Sequence, residues 1–171
     1  MYRLLRQIAL TGIKTEEPPI PDEALRMTVD RLRSEVLDKF AGALAIRHVD
    51  AGSCNGCEVE LGSAFGPVYD AERYGVRLVA SPRHADALLV TGAVTRNMAE
   101  PLRRTFAAVP GPKVVLAVGD CARDCGVFAD GYGVAGAVRD VVPDGARIVE
   151  VAGCPPRPEA IVEGLRKLSG R

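Results

Sequence analysis

Apolar residues follow two different periods along this chain, and the two periods predict alternating helices and strands. From Asp22 to Phe40, apolar residues recur at the spacing of one helix face, with charges between them. Further on, the runs 86–92 and 113–119 are almost continuously apolar and end in glycine. Such runs are typical of strands buried in a parallel sheet. The helical positions are Leu25, Val29, Leu32, Val36 and Leu37.

The remaining segments complete an alternating order of strands and helices. A helix is expected to open at the Cys54 to Cys57 turn. Further strands are predicted at 43–49, 77–80 and 146–151, and further helices at 97–109, 132–142 and 158–168. Strands and helices that alternate through short loops predict a parallel α/β sheet with helices on both faces. We assign residues 41–171 to this domain and residues 1–40 to an N-terminal extension, an arm followed by a helix.

The first 21 residues are expected to form an arm. Their proline-rich end, Lys14 to Pro21, cannot continue a helix or pair in a central strand. Two interpretations of its apolar residues stay open. They could form a short amphipathic face for a partner or a membrane surface, or they could belong to a frayed terminus. These apolar residues are Leu4, Leu5, Ile8 and Leu10.

Composition narrows the classes of function. The 22 basic and 22 acidic residues balance, which gives no electrostatic reason to expect binding to nucleic acid. We expect neither a membrane-spanning run nor a secretory signal. Five cysteines in a chain without such a signal favour a reducing compartment, with metal-binding or catalytic use rather than disulfides.

Four of these cysteines follow predicted strand ends. Cys54 and Cys57 form a Cys-x-x-Cys turn after the first strand, and Cys121 and Cys154 follow two later strands beside glycines. Because sites in parallel sheets form beyond the carboxyl ends of the strands, we expect the four thiols to converge on one rim. Four thiolates are the ligand set of a 4Fe-4S cluster, and we predict one such cluster here.

Other uses of the cysteines stay open. A zinc site could take Cys54, Cys57, Cys121 and Cys125, because Cys121 and Cys125 form a second close pair. A redox-active dithiol at Cys54 and Cys57 would leave the later cysteines unexplained. Buried cysteines acting as small hydrophobic residues account for Cys125 better than for the other four.

Charged neighbours suggest how a cluster would be tuned. Arg83 and Arg157, together with Arg123, are expected near the cysteine loops, where they would offset the negative charge of a cluster. The alternative for each of these arginines is an ordinary solvated charge at the protein surface. Of the two acidic residues after Cys57, we expect Glu58 to complement the helix N-terminus and Glu60 to couple proton movement to electron transfer.

The motifs around the cysteines resemble those of the small iron-sulfur subunit shared by respiratory complex I and the energy-converting, membrane-bound nickel-iron hydrogenases, including formate hydrogenlyase. The resemblance covers residues 44–168 in the order of the family. It implies a flavodoxin-like fold, a 4Fe-4S cluster on Cys54, Cys57, Cys121 and Cys154, and a tight partnership with a large subunit. The matching motifs are 52–61, 80–86, 91–98, 119–121 and 153–158.

Spacing of the first two cysteines separates the branches of this family. Complex I subunits usually have them adjacent, whereas Cys54-Asn55-Gly56-Cys57 is typical of the hydrogenase branch. The resemblance therefore implies an electron-relay subunit of a hydrogenase complex, with a ferredoxin-like subunit and membrane subunits as partners. This places the chain peripherally, on the cytoplasmic side of the membrane. The quinone-linked small subunit of complex I, passing electrons to quinone, is the alternative. Cys125 departs from the family, which commonly has glycine there.

Overall fold

A computed structural model describes residues 6, 10, 23–40 and 43–168. The predicted arm and its amphipathic face lie outside these residues, apart from Arg6 and Leu10. The strands are β1 (Leu44–Asp50), β2 (Val76–Leu78), β3 (Ala87–Thr91), β4 (Val94–Thr95), β5 (Val114–Val118), β6 (Val134–Gly136) and β7 (Arg147–Val151). The helices are α1 (Glu23–Phe40), α2 (Gly56–Ala64), α3 (Arg96–Ala108), α4 (Asp120–Asp124), α5 (Val138–Val141) and α6 (Pro158–Leu168).

Five strands form one parallel sheet in the order β2-β1-β3-β5-β7. This is the strand order of flavodoxin-like folds. The predicted parallel α/β architecture is therefore confirmed. Asp50, Thr91, Val118 and Val151 stand side by side in the register of the sheet, so the carboxyl ends of β1, β3, β5 and β7 form one rim.

Two apolar layers hold the helices on opposite faces of the sheet. On one face, Ile46 and Leu116 pack with Leu61 of α2 and Ile161 of α6. On the other face, different strand residues pack with α3, α4 and α5. The helix α1 packs against α6. Burial of these strand side chains on both faces explains why the sequence runs of β3 and β5 are continuously apolar.

Most predicted elements are confirmed, with boundaries shifted by at most two residues, but the helix predicted over residues 132–142 is wrong. That segment forms β6, which pairs antiparallel with β4 in a separate two-stranded sheet, followed by the single turn α5. Glycines at positions 131, 133 and 136 explain the difference, because glycine weakens a helix. The division of the chain at residue 40 stays a prediction.

Candidate metal centre

Four cysteines lie beyond the carboxyl rim of the sheet. Cys54 and Cys57 follow β1, Cys121 lies in the short helix after β5, and Cys154 follows β7. A Cβ atom built on Gly56, between the first two cysteines, would lie 3.8 Å from the Pro155 ring that follows Cys154. Three sequence-distant segments thus meet at one place, as the strand order requires. We call these four residues the cysteine set.

The thiols of the cysteine set act on one another electrostatically. Burial raises the pKa of Cys57 to about 12, with further contributions from Glu58 and from the thiols of Cys121, Cys54 and Cys154. Burial also raises the pKa of Cys121, again with contributions from Cys154 and Cys54. These groups are protonated at neutral pH unless a bound cation stabilises the thiolates, as iron or zinc does.

Cys125 sits in a different environment. Burial raises its pKa, and the other groups that raise it are the carboxylates of Asp140, Asp124 and Asp130, not the cysteine set. Its backbone has a φ of +67° at the end of α4, a left-handed conformation that favours glycine. The structure therefore brings Cys121 to the other cysteines and leaves Cys125 among acidic side chains.

Backbone approaches the sulfur atoms closely at three glycines. A Cβ on Gly56 would lie 3.6 Å from Cys54 Sγ, and one on Gly126 would lie 3.3 Å from Cys121 Sγ. At Gly119 the distance to Cys57 Sγ would be only 2.6 Å, shorter than real Cβ contacts. Such a backbone cradle is what an iron-sulfur cluster uses, because peptide N-H groups can then face its sulfurs.

The donor set bears on what the site could hold. Within residues 23–40 and 43–168, no three His, Cys, Asp or Glu side chains are grouped closely enough to hold a single metal ion. Zinc, with bonds of about 2.3 Å to sulfur, would draw its ligands to within about 4 Å of one another. A cluster of four irons is larger than one ion and is held by four thiolates set further apart. The donor set of four thiols and the glycine cradle fit such a group.

Hydrogen bonds fix the loop that carries Cys54. Asp50 Oδ1 accepts from the N-H groups of Gly52 and Ser53, both at 2.8 Å. These two bonds lower the pKa of Asp50, while burial opposes them. The Ala51 N-H also donates to the Thr91 carbonyl at 2.9 Å, which ties the loop to the end of β3.

A reciprocal pair of hydrogen bonds joins the loops of Cys121 and Cys154. The Asp120 N-H donates to the Gly153 carbonyl at 2.9 Å, and the Gly153 N-H donates to Asp120 Oδ1 at 3.0 Å. Arg123 Nη1 lies 3.3 Å from the same Asp120 oxygen. The arginine therefore balances the carboxylate that links the two loops.

Glu58 lies in a setting that the sequence did not indicate. Both of its carboxylate oxygens are buried and have no hydrogen-bond partner among the described residues. One oxygen is 3.8 Å from His48 Nε2, which is 2.9 Å from the Thr91 hydroxyl oxygen. Burial lowers the pKa of His48 despite the nearby Glu58. Glu58 lies in the first turn of α2, as expected for a charge that complements the helix N-terminus, but its two oxygens are enclosed and not solvated.

The other predicted site residues fall in different places. Glu60 is half-buried on α2, where it contributes to raising the pKa of Tyr69. Arg157 is exposed between Cys154 and α6. Arg83 is exposed in a turn that leads into the amino end of β3, away from the rim, so the structure does not bring it to the cysteine set. β2 ends opposite Ile46 and β3 begins opposite the same residue, so the turn between them lies well before the carboxyl end of β1.

A flavodoxin-like α/β domain with four convergent thiols belongs to the class of small domains that can carry a sulfur-ligated metal group. Residues 54–168 match the family model described as NADH ubiquinone oxidoreductase, 20 Kd subunit, and the chain belongs to that family. The resemblance inferred from the motifs is confirmed.

Relatives from both branches of the family are similar to the chain. Formate hydrogenlyase subunit 7 of Escherichia coli is 40% identical over 156 residues, which are 89% of this chain and 58% of that protein. The chain thus spans less than two thirds of that relative. The probable membrane-bound hydrogenase subunit mbhJ of Pyrococcus furiosus is 46% identical over 75% of this chain and 76% of its own length. An NADH-quinone oxidoreductase subunit of Herpetosiphon aurantiacus is 44% identical over 66% of this chain and 61% of its own length.

Solved structures agree with the fold. A chain of the archaeal membrane-bound sulfane sulfur reductase superposes with a TM-score of 0.65 and 34% identity, covering 78% of this chain and 73% of that one. A chain of the NAD+-reducing [NiFe]-hydrogenase superposes with a TM-score of 0.53 over 70% of this chain and 86% of that one. Its identity is 19%, so it supports the fold alone.

Proposed function

We propose that this chain is an electron-transfer subunit that holds one 4Fe-4S cluster on Cys54, Cys57, Cys121 and Cys154. The observation that carries the proposal is the convergence of these four thiols, from three strand ends, on a glycine-lined rim. A bound 4Fe-4S cluster would accept and release single electrons. The chain would have no complete active site of its own.

The protein would hold such a group through its thiolates and its fixed loops. Loading must displace protons from thiols whose pKa is raised, so iron binding releases protons and becomes more favourable as pH rises. The hydrogen bonds of Asp50 and Asp120 hold the loops in place. Glu60 would couple proton movement to the electron step, and Arg157 would offset negative charge beside Cys154.

Membership of an energy-converting nickel-iron hydrogenase complex is the assignment that we favour. Supporting it are the Cys54-Asn55-Gly56-Cys57 spacing and the similarity to formate hydrogenlyase subunit 7 and mbhJ. The alternative, a complex I-type NADH:quinone oxidoreductase subunit that passes electrons to quinone, is supported by the 44% identity to an NADH-quinone oxidoreductase subunit. The sequence of the partner large subunit would separate the two assignments. Two Cys-x-x-Cys pairs able to bind nickel and iron would favour the hydrogenase complex, and their absence would favour the quinone-linked complex.

Partners and location follow from the same assignment. Among the described residues no helix is long and apolar enough to cross a membrane. We propose that a large subunit, a ferredoxin-like subunit and membrane subunits hold the chain on the cytoplasmic side of the membrane. Cys54 and Cys154 are exposed, and so is Val59 beside Cys57, which suits a rim that a partner covers.

Anaerobic purification followed by metal and sulfide analysis tests the proposal. We expect a brown protein with about four irons per chain and an electron paramagnetic resonance signal on reduction. Stoichiometric zinc without visible absorption would contradict the proposal and support a zinc-stabilised interaction module instead.

A further inference from the structure

A hydrogen bond between Tyr69 and Glu159 joins two segments that follow different cysteine loops. The Tyr69 hydroxyl donates to Glu159 Oε1 at 2.9 Å, although 90 positions separate the two residues. Tyr69 comes shortly after α2, the helix that contains Cys57, and Glu159 lies in the first turn of α6, shortly after Cys154. We infer that Tyr69 and Glu159 are positioning residues that hold the Cys57 helix and the Cys154 loop together. This inference rests on the proposed function, because it concerns the retention of the cluster.

Glu159 depends strongly on this bond. Its second oxygen, Oε2, is buried and has no hydrogen-bond partner within the described part of the chain. A buried carboxylate oxygen without a donor is costly, so the remaining bond to the Tyr69 hydroxyl matters more for where this side chain rests. Loss of the hydroxyl would leave both oxygens without a donor and free the carboxylate to turn toward water.

Charged groups on the same two segments act on the Tyr69 phenol. Its pKa is raised first by the hydrogen bond to Glu159, and Glu60 raises it further while Arg157 lowers it. Glu60 lies on the Cys57 helix, and Arg157 lies in the segment that follows Cys154. Charges from both segments therefore reach the phenol.

Packing explains why one bond at this position can matter. Leu61 of α2 and Ile161 of α6 share one apolar layer, so the two helices are already held together below the rim. Near the rim, Gly56 and Pro155 approach closely but offer no side-chain hydrogen bond to each other. The bond between Tyr69 and Glu159 adds a directed polar contact between α6 and the segment after α2. Without it, we expect the Cys154 loop to open more often.

Chelation kinetics of the loaded protein test this inference. Tyr69→Phe removes only the hydroxyl, and we expect iron to pass to an external chelator about three- to tenfold faster, the factor that one hydrogen bond supplies. Tyr74→Phe is the matched control, because Tyr74 is a nearby tyrosine that packs against the apolar layer. It should release iron at the wild-type rate.

A double-mutant cycle separates positioning from general destabilisation. If the two residues act through each other, Glu159→Ala speeds release as much as Tyr69→Phe, and the double variant is no faster than either single variant. Glu159→Gln keeps an acceptor oxygen and should stay close to wild type. The resonance signal of the reduced cluster should broaden in Tyr69→Phe and Glu159→Ala but not in Glu159→Gln.

Two results would overturn the inference while the proposed function stands. One is a Tyr69→Phe protein with about four irons and the wild-type release rate. The other is a double variant whose effect equals the product of the single effects. A wild-type chain that binds no iron would remove the proposed function, and this inference with it.

Discussion

Replacing Gly119 with alanine tests whether the backbone must approach Cys57 as closely as the structure has it. Gly119 has φ +92° and ψ 158°, a region used almost only by glycine, and other residues there cost about 1–3 kcal/mol. The new Cβ would lie 2.6 Å from Cys57 Sγ, and relieving such an overlap in a packed site costs about 1–3 kcal/mol more. We therefore expect Gly119→Ala to lower the free energy of unfolding by about 2–6 kcal/mol.

Urea unfolding of the metal-free chain and iron analysis of the anaerobically purified chain measure the two consequences. Because Cys57 Sγ must move away from Gly119, we expect the variant to retain much less iron than wild type. Gly62→Ala is the control, since Gly62 lies in α2 with nothing within 4 Å of its added Cβ. It should raise stability by up to about 1 kcal/mol and leave iron unchanged. Wild-type stability and iron content in Gly119→Ala would refute the reasoning.

Three further predictions concern the loops and the half-buried His48. Cys125→Gly should keep its iron and gain about 0.5–1 kcal/mol of stability in urea unfolding, because φ is +67° there; a loss of iron would count against it. Asp50→Ala removes the acceptor of two N-H groups and should cost about 1–2 kcal/mol by the same measurement, and an unchanged unfolding midpoint would contradict this. The pKa of His48 is lowered from 6.5, so the folded chain binds fewer protons there than the unfolded chain. The contribution of His48 to stability is complete above pH 6.5 and declines as pH falls below that value. His48→Gln should therefore lose less stability than wild type on acidification. Equal losses in the two proteins would exclude a contribution of His48 to the pH dependence of stability.

Buried strands were the most predictable part of the fold. β3 and β5 are covered on both faces, so their sequence runs are continuously apolar and needed no tertiary information. The rim followed from the predicted order of strands, because Cys54, Cys121 and Cys154 each come within a few residues of a predicted strand end. The helix predicted over residues 132–142 is wrong because glycine weakens a helix there, and part of the segment pairs with β4 instead.

Side-chain environment was less predictable than position along the chain. Whether Glu58 or Glu60 faces the interior depends on how α2 turns against the sheet, which a short helix does not encode in its own pattern. The contact between Glu58 and His48 crosses from α2 to β1 and leaves no local signal. Arg83 was expected near the rim because it follows a strand, but that strand ends at the level of Ile46, well before the carboxyl end of β1.

Iron content of two cysteine variants, measured side by side, tests the central claim most directly. The proposed cluster uses Cys154, whereas Cys125 lies among Asp124, Asp130 and Asp140. We predict that Cys125→Ser keeps about four irons per chain and that Cys154→Ser loses the cluster. Metal that leaves with Cys125→Ser and stays with Cys154→Ser would contradict the account.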